Sequence, residues 1–94
     1  MDKEISDFCE QEKIASDVET YYKLILETFQ NIEDIKVTLQ SDYEIENYRK
    51  VRFDVKINDK VDNIIKREKE FRNKIRNLIS KDSRSKFVLT FQIA

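Results

Sequence analysis

Three stretches of the chain alternate strictly between apolar and polar residues, and others repeat apolar residues at helical spacing. Ile35, Val37 and Leu39 share one face, opposed by Lys36, Thr38 and Gln40. Val51, Phe53, Val55 and Ile57 repeat the pattern against Lys50, Arg52, Asp54 and Lys56. Phe87, Leu89, Phe91 and Ile93 do so again, with Val88, Thr90 and Gln92 between them. A period of two is what a strand shows when one face is buried and the other meets water. All three stretches therefore predict strands, and all three turn their odd-numbered side chains inward.

Residues 3–30 read as helix, but with two apolar stripes. Val18, Tyr22, Ile25, Leu26 and Phe29 form one, and Ile5, Phe8 and Cys9 form the other. At about 100° per residue the stripes point roughly 120° apart, so one straight helix cannot lay both on a sheet. Ser16-Asp17-Val18-Glu19 has the form of a capping box, which predicts a break near Ser16. The segment 3–15 is then separate from a helix over 17–30. A further helix is expected over 60–81, capped at Asn58-Asp59. Its stripe is Val61, Ile64, Ile65, Phe71, Ile75, Leu78 and Ile79. Asp82-Ser83-Arg84-Ser85 reads as a turn. Ser41–Asn47 reads as a loop in which Asp42 and Asn47 supply any left-handed backbone, with Tyr43 and Ile45 able to extend the pairing.

The order α-β-β-α-β predicts one α+β domain over residues 1–94. It would be a two-layer sandwich with a three-stranded antiparallel sheet, in the order 2-1-3, and helices packed on one face. That order rests on a right-handed crossover that sets the third strand beside the first. A chain of 94 residues can bury one core without disulfides or a structural metal.

Composition changes the picture mainly by exclusion. The chain has no glycine, proline, histidine or tryptophan, and one cysteine. Without glycine there is no phosphate-cradling loop, and without histidine there is no imidazole base or Ser-His or Cys-His pair. A zinc site would need mostly carboxylate ligands, which is unusual for that metal. No enzyme is therefore expected, and no catalytic, cofactor or metal residues are assigned. The unpaired Cys9 and an opening Met-Asp-Lys-Glu, with no apolar secretory stretch, lead to the expectation of a cytoplasmic protein that does not span a membrane.

Charge is unevenly placed. Residues 1–47 hold 13 acidic and 4 basic residues, whereas residues 48–94 hold 6 acidic and 14 basic ones. The basic half admits a nucleic-acid surface built from Lys50, Arg52 and Lys56 on the open sheet face and Lys66 and Lys74 on the second long helix. The competing explanation is mutual neutralisation between neighbouring acidic and basic helices. All six phenylalanines lie on core-facing stripes, which leaves no stacking platform for bases, although Tyr48 could be exposed.

The sequence favours a small protein-interaction module or accessory subunit, self-associating as a homodimer; a nucleic-acid-binding domain is the alternative. Partner-binding residues are expected at Ile5, Phe8 and Cys9, at Tyr21, and at Val88 and Thr90 on the last strand, read as a sheet edge. The Ile5 stripe must either fold back on its own domain or find a partner. Tyr21 is expected to be more exposed than Tyr22. Glu68 stands in the middle of an apolar stripe, either as a carboxylate site or as one half of an i,i+4 pair with Arg72.

Overall fold

A computed structural model describes residues 3–41 and 49–94. The predicted loop with Asp42, Tyr43, Ile45 and Asn47, and Tyr48, lie outside the described residues. The elements are α1 (Lys3–Gln11), α2 (Ala15–Thr28), β1 (Ile32–Ser41), β2 (Arg49–Ile57), α3 (Val61–Leu78), α4 (Lys81–Arg84) and β3 (Phe87–Ile93). The α+β class and the three strands follow the alternation of the sequence.

The sheet is mixed rather than antiparallel, and its order is β1-β2-β3 rather than 2-1-3. β1 pairs antiparallel with β2, and β2 pairs parallel with β3, from Val51 opposite Phe87 to Ile57 opposite Ile93. The 18 residues of α3 return the chain over about 27 Å, close to the length of a nine-residue strand. That is the crossover a parallel neighbour requires. β2 takes the central place and is the most deeply buried strand. Val51, Phe53, Val55 and Ile57 are all 0 % exposed. β1 bears Glu33 and Asp34 and tolerates the edge, where a bulge interrupts its register between Ile32 and Asp34.

The helices cover the odd-numbered face of the sheet, and one continuous core joins them. Tyr21 stands at its centre, with ring centroids 4.7 Å from Phe53, 4.9 Å from Phe71 and 5.0 Å from Phe87. Each such pair contributes about 0.5–1.5 kcal/mol beyond the burial of its area.

The helical break is real but lies three residues before Ser16. Lys13 takes φ 59°. The amide of Ile14 donates to the Cys9 carbonyl at 2.8 Å, and that of Lys13 to the Glu10 carbonyl at 3.1 Å. This is the paired bonding of a Schellman ending, with lysine where glycine is favoured. Ser16 lies inside α2, so the expected capping box does not form; Ile14 stands at the N-cap and no side chain caps the helix.

The bend lets α1 fold back over the end of the sheet. Ile5, Phe8 and Cys9 are all buried in the shared core, and Glu12 on this arm meets Lys86 before β3 at 3.1 Å. The expected exposure of this stripe to a partner is therefore corrected: the domain satisfies it internally. α3 is shorter than expected. It ends at Leu78, and the stretch read as a turn is the one-turn helix α4, whose N-cap Ser80 accepts from the Ser83 amide at 3.2 Å.

Candidate partner-binding surfaces

The surfaces a partner can reach follow from which way α2 faces. Its buried row is Val18, Tyr21, Leu24, Ile25 and Thr28; Val18, Ile25 and Phe29 of the expected stripe are buried, but Tyr22 and Leu26 are not. Tyr21 is 7 % exposed and Tyr22 is 37 % exposed, so the expected order of the two tyrosines is reversed. Ile14 is the signal that distinguishes them. It is 1 % exposed and extends the row 14, 18, 21, 25 at alternating steps of four and three, to which Tyr21 lies closer than Tyr22 on the helix.

This rotation leaves an apolar groove. Tyr22 and Leu26 on α2 line it with Ala15 and Val18, facing Ile35 and Val37 of β1, while Glu19 and Lys23 form its polar rim. Glu19 and Lys23 pair with each other at 2.9 Å. Leu26 is half exposed, and Ile35 and Val37 are only partly covered by the core they pack against. Beside the groove runs the outer edge of β1, which pairs with no strand among the described residues. An unpaired edge with adjoining apolar surface is a template for adding a strand.

The other face of the sheet is polar. Asp54 lies opposite Thr90 in the register, accepts a hydrogen bond from its hydroxyl, and also accepts from the Arg52 Nε at 2.9 Å. The Thr90 bond first, then the Arg52 guanidinium with Lys36 nearby, holds the Asp54 carboxyl below the usual carboxylate range. Thr90, expected as a partner contact, is thus engaged within the domain; Val88 lies beside it, opposite Arg52, and both are half-buried.

The basic residues do not converge. Lys50, Arg52 and Lys56 lie on the open sheet face. Lys66 and Lys74 lie exposed on α3, which packs on the opposite face through Ile64, Phe71 and Ile75. Glu68 is paired with Arg72 at 2.7 Å, which makes it the structural pair of the two readings given by the sequence. Cys9 is free and buried, and burial pushes its thiol up, away from the reactive thiolate. Among the described residues no group of three or more cysteines and carboxylates could hold a metal ion, and no helix is long and apolar enough to cross a membrane.

Comparison with family models, curated proteins and solved structures found no match to this chain.

Proposed function

We propose that the chain is a cytoplasmic interaction module that self-associates edge to edge through β1. The observation that carries this reading is the groove of Tyr22, Leu26, Ile35 and Val37 beside a strand edge that is unpaired among the described residues. The bulge-free part of β1 is self-complementary. Under an antiparallel two-fold axis through Val37, Ile35 faces Leu39 of the second copy and Lys36 faces Thr38, so like charges do not meet. The two copies of Tyr22 and Leu26 would then approach over a continuous six-stranded sheet.

The contact surface differs from the one expected from sequence, which relied on α1 and β3. It retains the same class of function. A nucleic-acid reading has weaker support, because the two basic groups lie on opposite sides of the domain and the phenylalanines are turned into the core.

Sedimentation across a concentration series tests the proposal. A dimer that dissociates on dilution is expected, and Val37→Lys should leave a folded monomer by circular dichroism. A wild-type monomer at millimolar concentration, or a dimer unaffected by Val37→Lys, would refute it.

A further inference from the structure

On the far side of the core from the β1 groove, α2, α3, α4 and β3 enclose a recess of about 220 Å³. Tyr21, Phe71, Ile75, Phe87 and Leu89 make its apolar wall, and Arg72, Arg76 and Arg84 are its charged lining. Arg72 and Arg76 stand one helical turn apart on α3, where like charges repel. Arg84 is contributed by α4.

One carboxylate offsets this charge. Glu68 takes both the Nε and a terminal nitrogen of Arg72, at 2.9 and 2.7 Å. Among the described residues neither Arg76 nor Arg84 has an acidic partner within 4.0 Å. The Nε of Arg84 is buried and donates to nothing. A buried guanidinium N–H without an acceptor costs free energy, which an acceptor in the recess would recover once the Arg84 side chain turns its Nε toward it. The recess is far larger than a single water requires.

We infer that this recess binds the phosphate group of a small molecule, held between Arg84 and Arg76, with Arg72 oriented by Glu68. Three guanidinium groups and one carboxylate leave two positive charges, which match a phosphate dianion. Guanidinium forks suit its oxygens. The apolar wall places a compact hydrophobic portion of the same molecule against Phe71, Phe87 and Leu89. The site does not depend on self-association through β1.

Nuclear magnetic resonance of the arginine side chains, with inorganic phosphate as the probe and sodium chloride at matched ionic strength as the control, tests the inference. The Arg84 Nε–H signal is expected to shift saturably with phosphate and not with chloride. Acetate should bind more weakly than phosphate. Arg84→Lys keeps the charge but loses the fork, and should weaken phosphate by about tenfold. Arg76→Gln should weaken it as well, with both variants folded by circular dichroism. Failure to saturate, an equal response to chloride, acetate binding as tight as phosphate, or unchanged affinity in folded Arg84→Lys would each overturn the assignment.

Discussion

β1 and β2 carry the same alternation, yet they occupy different environments. The inward side chains of β2 are wholly buried, while Ile35, Val37 and Leu39 of β1 are only half covered. β2 has a strand on each side and helices above it. Among the described residues β1 has one neighbour, and α2 turns Tyr22 and Leu26 away from the core above it. Periodicity thus tells which face of a strand is apolar; the number of neighbours decides how deeply that face is buried.

Truncation should separate the two strands most strongly. Phe53→Ala is expected to cost about 3–5 kcal/mol, because it empties the space against Tyr21 and Phe87. Val37→Ala should cost about 1 kcal/mol or less in the monomer. Urea unfolding measures both, and equal losses would break the comparison.

The buried side of α2 can be sharpened by pH. Burial pushes the Tyr21 phenol up from 10.0 to about 12. The folded state therefore holds a proton that the unfolded state releases between these values. Stability is fully present below pH 10 and falls as pH rises toward 12, by about 3 kcal/mol in all. Tyr21→Phe should remove this component of the alkaline loss, whereas Tyr22→Phe should leave it in place; thermal unfolding between pH 9 and 12 would show the difference.

A smaller effect is expected at the bend that brings α1 over the core. Lys13→Gly should raise stability by about 1 kcal/mol, because glycine adopts a φ of 59° without the Cβ penalty. A loss of stability would mean that the lysine side chain contributes more than the backbone strain costs.

The smallest effect belongs to the open face. The lowered Asp54 carboxyl supports the fold above its ordinary value of 3.8, and that support is lost as pH falls through the lower folded value. Thr90→Val should move its titration upward, and carboxyl resonances followed through an acid titration would detect the shift.

Much of this architecture is legible in the alternation and in part of the α3 stripe, because burial on one face leaves a period in the sequence; Ile64, Phe71, Ile75 and Ile79 are buried as expected, whereas Val61, Ile65 and Leu78 are exposed. The Glu68–Arg72 pair is also legible, since helical spacing alone sets those residues side by side. The sheet order is not. A 2-1-3 sheet and the observed one place the same residues inward, and they differ only in which strand β3 lies against. Tyr21 and Tyr22 are adjacent rings whose positions depend on where α2 begins, and Ile14 is the residue that fixes this. The arginine recess is hidden for a different reason: Arg84 lies in a stretch that reads as a turn, and its approach to Arg72 and Arg76 is a matter of tertiary packing.

The contact between Asp54 and Thr90 has one further consequence. Sliding β3 by two positions along β2 would still turn Phe87, Leu89 and Phe91 inward, so the greasy side of the ribbon cannot distinguish one alignment from the other. Such a slip would bring Val88 or Gln92 to the carboxylate in place of a threonine hydroxyl. The solvent-facing side of the sheet thereby acts as a key, selecting one alignment among several that hydrophobicity alone would accept.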